Sequence, residues 1–174
     1  MSERLPALRT PLLWLRGIIF SVLAPGIVAG VVPQRLRNGA NPAAGWWRAG
    51  WILFAAAILV YLQCLLNFLL AGGTPAIFFT RPIRFLLGAE PGKVVKSGLY
   101  RYSRNPMYLS VLGAIAAQAV IYRSLRIAIY AALAAIFFHF VVVFFEEPHL
   151  ARVRGADYQE YRERVPRWIG RPGP

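Results

Sequence analysis

Residues 51–70 and 127–145 each run for about twenty positions without a charged side chain. That feature constrains this chain most. About 20 apolar residues wound as a helix cross the hydrocarbon of a bilayer, and in lipid the backbone must satisfy its own hydrogen bonds. Two further stretches join them. Residues 12–32 are apolar except for Arg16, placed to snorkel from one end, and hold a Pro25-Gly26 pair that predicts a kink. Residues 107–122 are short but uncharged. Four spans follow. The last two are separated by Arg123-Ser124-Leu125-Arg126, a tight hairpin that makes its helices antiparallel neighbours. The expected fold is an all-α membrane bundle of about four transmembrane helices.

Charge fixes the expected direction. Of the 20 Lys and Arg residues, 14 fall in the N-terminal segment, the middle loop and the C-terminal tail; five fall on the opposite side and Arg16 lies within a span. The positive-inside rule places the first group, and both termini, in the cytoplasm. The net charge of +13 is distributed between apolar runs, not gathered on one polar face. That pattern fits anionic lipid headgroups and argues against a nucleic-acid partner. The lone cysteine, Cys64, excludes an intrachain disulfide, and no metal site is apparent.

The polar residues with chemical potential fall into two clusters facing the same compartment. The first, residues 94–108, leads into the third span; Asn105-Pro106 has the form of a helix start, with Asn as N-cap and Pro at N1. The second opens with Glu146-Glu147-Pro148-His149 at the expected end of the fourth span. Adjacent carboxylates at a helix C-terminus oppose the macrodipole and each other. Arginines of the middle loop, or a bound cationic ligand, would offset both costs. Tyr158 and Tyr161, three apart, share a helix face. His139 is an ionisable residue inside the fourth span, seven positions before Glu146 and on the same face of a regular helix. Gln63 and Asn67 read as polar packing glue.

Lys96-Ser97-Gly98-Leu99-Tyr100, Arg104-Asn105-Pro106-Met107-Tyr108, Glu146-Glu147, Gly155, Tyr158, Tyr161 and Val165-Pro166-Arg167, in this order and spacing, resemble the isoprenylcysteine carboxyl methyltransferase and phospholipid methyltransferase superfamily of integral membrane enzymes. The resemblance covers residues 72–168 as a cofactor-binding module, beginning at Gly72-Gly73-Thr74-Pro75, and leaves residues 1–71 as two generic spans. It implies S-adenosyl-L-methionine as methyl donor, with cofactor contacts at Gly92, Lys93, Val94, Val95, Tyr100, Asn105, Pro106, Met107, Tyr108 and Glu146. It implies a lipophilic acceptor, either an isoprenylcysteine-type carboxylate or a phospholipid amine, and a bacterial inner membrane with a cytoplasmic active site. Arg104, Glu147 and His139 are the catalytic candidates, with Glu147 or His139 as base for an amine. Two positions depart from the eukaryotic pattern: Asn105 stands where those enzymes carry His, and Val142 where they carry an Arg implicated in substrate binding.

Two other readings compete. A non-enzymatic scaffold or transport subunit could keep the fold without needing Tyr100, Asn105 and Glu146. A reductase of the same fold would bind a nicotinamide nucleotide, but the chain carries no Gly-rich dinucleotide fingerprint.

Overall fold

The computed structural model describes residues 11–42, 45, 47–75 and 84–170; Arg4, Arg9, Trp46, Arg81, Pro82 and Arg171 lie outside them. The described residues form a bundle of helices with no strand.

The first span is a continuous helix of 26 residues, Pro11–Leu36. It consists of α1 (Pro11–Leu23), a π-helical turn Ile27–Val31 and α2 (Val32–Leu36). Pro25 cannot donate an amide. Beyond it the helix slips into π register, with the Val32 N–H bonding to the Ile27 carbonyl. Neighbouring spans serve the carbonyls of this irregular stretch. Tyr130 donates its hydroxyl to Val28 O at 2.9 Å, and Gln118 donates its amide to Ala29 O at 2.6 Å. The expected break at Pro25-Gly26 is thus a register shift whose polar groups are bonded inside the bundle.

α3 (Trp47–Leu70, 24 residues) runs antiparallel to the first span. Gly17 faces Leu69 and Leu65, and the Tyr61 hydroxyl donates to Ser21 Oγ at 2.7 Å. α4 (Arg84–Leu87) is a single turn; the question of a membrane segment over residues 77–87 falls mostly outside the described residues. Between α4 and the next span, the chain folds back on Gly73-Thr74-Pro75. Thr74 donates its hydroxyl to Leu87 O, and a Cβ on Gly73 would stand 2.3 Å from the Pro91 nitrogen. This close backbone approach delivers Glu90 and Pro91 to the site.

α5 (Pro106–Tyr122) has 17 residues, about 25 Å of helix and less than a bilayer core. It is also the most enclosed span, with Ile115, Ala117 and Ile121 almost fully buried. Its centre packs against α3 through small residues, as membrane helices do. Only Arg123 and Ser124 connect α5 to α6 (Leu125–Val141). Arg123 takes the left-handed conformation (φ 44°), and Ser124 Oγ accepts the Ile127 N–H. The hairpin is two residues shorter than the sequence pattern suggests.

The fourth span does not end at Glu146. α6, a π-helical stretch Val142–Glu146 and α7 (Glu147–Arg154) form one helix of 30 residues, Leu125–Arg154. At about 45 Å it exceeds the hydrocarbon by roughly 15 Å. Pro148 has no amide to continue an α-register; the π stretch absorbs the fault, with Glu147 N–H bonding to Val142 O. Gly155 (φ 52°, ψ −128°) then turns the chain into α8 (Ala156–Arg164). The outer surface is apolar: Ile52 is 70% exposed, Leu59 67% and Phe144 61%. Such a surface belongs in lipid. The architecture is a membrane helical bundle. The start of α1, the start of α5 and α7–α8 share one end, the site end.

The α3–α5 crossing is tight enough to test. A Cβ on Gly50 would lie 2.5 Å from Ile121 Cγ1 and 3.1 Å from the Ile121 backbone nitrogen, whereas one on Gly30 would meet nothing within 4 Å. Gly50→Ala is expected to destabilise the detergent-solubilised protein by about 1–3 kcal/mol, and Gly30→Ala to leave it within about 0.5 kcal/mol. Thermal unfolding of both variants measures this; equal behaviour would disprove the tight crossing.

Candidate functional site

Segments distant in sequence enclose a cavity of about 190 Å³ at the site end. The 3₁₀ turn Gly98–Arg101 supplies Tyr100. Gly98 (φ 61°) leaves no room for a Cβ against Asn67, whose amide donates to Ser97 O at 3.3 Å. Asn67 therefore ties α3 to the turn that carries Tyr100. The Tyr100 ring packs edge-on against Phe68 with centroids 5.7 Å apart; burial above all, then the neighbouring Cys64 thiol, raises its phenol well above the ordinary value.

Arg104 and Asn105 are clamped by the C-terminal segment. The Arg104 amide donates to Pro166 O at 2.9 Å, and the Asn105 side-chain amide donates to Arg167 O at 3.0 Å. Asn105 occupies the N-cap position of α5, but its side chain makes no capping bond. The expectation of an Asn cap is corrected: the C-terminal strap has captured that side chain.

Glu146 and Glu147 are adjacent on one helix and so point about 100° apart. Glu147 is buried and shared by two arginines, accepting from Arg167 at 2.6 and 3.0 Å and pairing with Arg104 at 2.9 Å. This carboxylate raises the Arg167 pKa, chiefly through the hydrogen bond. Arg104 also donates to the Tyr158 hydroxyl at 3.2 Å. Glu146 lines the cavity, where it accepts the Tyr108 hydroxyl at 2.9 Å and has no cationic partner among the described residues. Of the two partners foreseen for the carboxylates, a middle-loop arginine serves Glu147, and Glu146 is left to face the cavity.

Tyr158 and Tyr161 turn inward from α8. Tyr161 donates to Tyr100 O at 2.7 Å, and burial pushes its phenol far up, which keeps that proton in place. Lys96 pairs with Asp157 of α8, and Arg154 at the end of α7 donates to Gly92 O at 2.6 Å, closing the two helices over residues 91–96.

Of the expected cofactor contacts, Lys93, Val94, Val95, Tyr100, Asn105, Met107, Tyr108 and Glu146 line this cavity; Gly92 and Pro106 adjoin it in the chain. Arg104 and Glu147 line it too. His139 is not brought to it. It is exposed on the outer face, with Nδ1 accepting the Trp168 indole N–H at 3.2 Å. The shared face expected for His139 and Glu146 assumes a regular helix, and the π stretch between them changes the phase. Sequence reasoning missed Glu90, which binds His149 Nε2 at 3.0 Å on the cavity wall. The signal was present: Glu90 is one of only seven acidic residues and immediately precedes the Pro91-Gly92-Lys93 stretch.

The clamp separates a structural from a catalytic role for Glu147. Glu147→Ala leaves Arg104 buried without its counter-ion, and a loss of about 3–5 kcal/mol in stability is expected. Thermal and denaturant unfolding in detergent measure it; a variant as stable as the wild type would overturn the structural assignment.

No curated protein and no solved structure matches the chain. A family model does, over residues 51–157, more than half the chain. The match takes in most of α3, the cavity-lining segments between it and α5, the hairpin and the long helix through Glu147 to the first two residues of α8. This chain belongs to the phospholipid methyltransferase family.

Proposed function

We propose that the cavity binds S-adenosyl-L-methionine from the cytoplasm and that the protein transfers its methyl group to a lipid acceptor held in the membrane. The observation that carries this reading is an unmet charge in the cavity wall. Glu146 offers a carboxylate without a cationic partner among the described residues, and the Arg104 side chain lines the same cavity. The amino-acid end of the donor carries an ammonium, which answers Glu146, and a carboxylate, which suits a wall that also holds an arginine. Tyr100 and Tyr108 supply ring surface for a cation. Val94, Val95 and Met107 supply apolar contact. When bound, the sulfonium supplies an electrophilic methyl carbon.

The chain's own residues contribute position and exclusion of water. Glu147 holds Arg104, Tyr108 orients Glu146, and α8 covers the opening through Tyr161. Phe20, Ala24 and Val28 of the first span give the cavity an apolar wall suited to a lipid. A carboxylate acceptor needs no base, whereas an ammonium acceptor must first lose a proton. Glu147 is committed to two arginines and Glu146 to the donor's ammonium, so the Glu90–His149 pair on the cavity wall is the better placed acceptor of that proton.

Calorimetry tests the proposal. S-adenosyl-L-methionine is expected to bind the detergent-purified protein, and Glu146→Gln to weaken binding at least tenfold through loss of a charge-assisted bond. Incubation of membranes with methyl-labelled donor is then expected to label a lipid. A folded wild type that binds no donor, with or without added lipid, would leave a non-enzymatic scaffold as the reading.

A further inference from the structure

Two buried side-chain donors lack any partner among the described residues: Nε of Arg104, in the cavity wall, and Nε of Arg16, in the first span. An ionisable residue inside a membrane helix is costly and points to function by default. Arg16 forms no ion pair and no hydrogen bond with the described residues. It lies one helical turn before Phe20, about 6 Å nearer the site end. Phe20, Ala24 and Val28 continue the same row along the cavity wall at four-residue spacing. Arg16 itself is half-buried, while Leu12, its neighbour on the other side, is 53% exposed. The guanidinium thus sits on the seam between the bundle and the surrounding lipid, just beyond the cavity.

We infer that Arg16 binds the phosphodiester of the glycerophospholipid acceptor, a step that rests on the methyl-transfer reading above. With Nε enclosed, the Nη groups are the charged donors that can meet phosphate oxygens. The position matches as well: phosphates lie at the edge of the hydrocarbon, where the end of a spanning helix lies. The anion held by Arg16 must be separate from the reacting atom, because Arg16 stands a turn outside the cavity wall that carries Glu146. A phospholipid meets that condition, since its phosphate and its headgroup nucleophile are different groups. A prenylated carboxylate does not, since its only anion is itself the group to be methylated. Simple snorkelling of Arg16 to bulk headgroups would give no preference among bound lipids.

The test titrates three short-chain ligands into detergent-solubilised wild type, Arg16→Gln and Arg16→Lys: dihexanoyl phosphatidylethanolamine, dihexanoylglycerol and N-acetyl farnesylcysteine. Phosphatidylethanolamine affinity is expected to fall roughly tenfold or more in Arg16→Gln and to recover in part in Arg16→Lys. Dihexanoylglycerol and farnesylcysteine are expected to bind both variants as they bind the wild type. Unchanged phospholipid binding in Arg16→Gln, or an equal loss for dihexanoylglycerol or farnesylcysteine, would overturn the inference. Donor calorimetry on the same samples keeps the two claims apart. Wild type that fails to bind S-adenosyl-L-methionine sinks the proposed function, while a phospholipid effect without donor binding still assigns the phosphate contact to Arg16.

Discussion

The site end of this protein hangs on the carboxylate of Glu147. Arg104, at the start of α5, and Arg167, beyond α8, meet on it, and all three belong to different segments. A buried ion pair gains little net stability but punishes the loss of any partner. The triad therefore acts as a registration device. It sets how the long helix, the entry to α5 and the C-terminal strap sit relative to one another. The Pro166 and Arg167 carbonyls complete the clasp by accepting from the Arg104 amide and the Asn105 side chain. With Glu147 so engaged, its neighbour Glu146 is turned toward the cavity.

Two π-helical turns make that geometry possible, and each follows from a proline. Pro25 precedes the turn in the first span, and Pro148 follows the turn in the fourth. A proline removes one amide from the ladder, and a π register is a local way to carry the helix past the gap. In the first span, the irregular carbonyls bond to Gln118 of α5 and Tyr130 of α6, so the break also ties three spans together. In the fourth, the shift changes the phase between Phe138, which lines the cavity, and Glu146, which lines it too. Residues four to eight apart can then face one cavity without the helix ending there.

Much of the fold was legible in sequence because the bilayer leaves few choices. Uncharged runs of 19 and 20 residues mark the fourth span and α3. The short separation of the last two spans predicts the hairpin, and the Tyr158–Tyr161 spacing predicts the buried face of α8. Hydropathy did not reveal that the shortest span is the central one. Burial of much of its surface against neighbouring helices relieves α5 of the need to match the bilayer along its whole length. Nor did hydropathy reveal that the fourth span continues to Arg154, because charged residues beyond the hydrocarbon carry no apolar signal.

The site divides along the same line. By itself the sequence determined the types and order of the polar groups: the tyrosines, the paired glutamates, the arginine before Asn105 and the family to which they belong. Those are chemical identities, and spacing along one chain preserves them. Only the tertiary structure decided which glutamate would meet an arginine, that Asn105 would bond Arg167 instead of capping α5, and that His139 would face outward to Trp168. It also brought Glu90 to His149 across 59 positions of chain. These outcomes depend on helix phase and on contacts between remote segments. Periodicity counted along an ideal helix supplies neither.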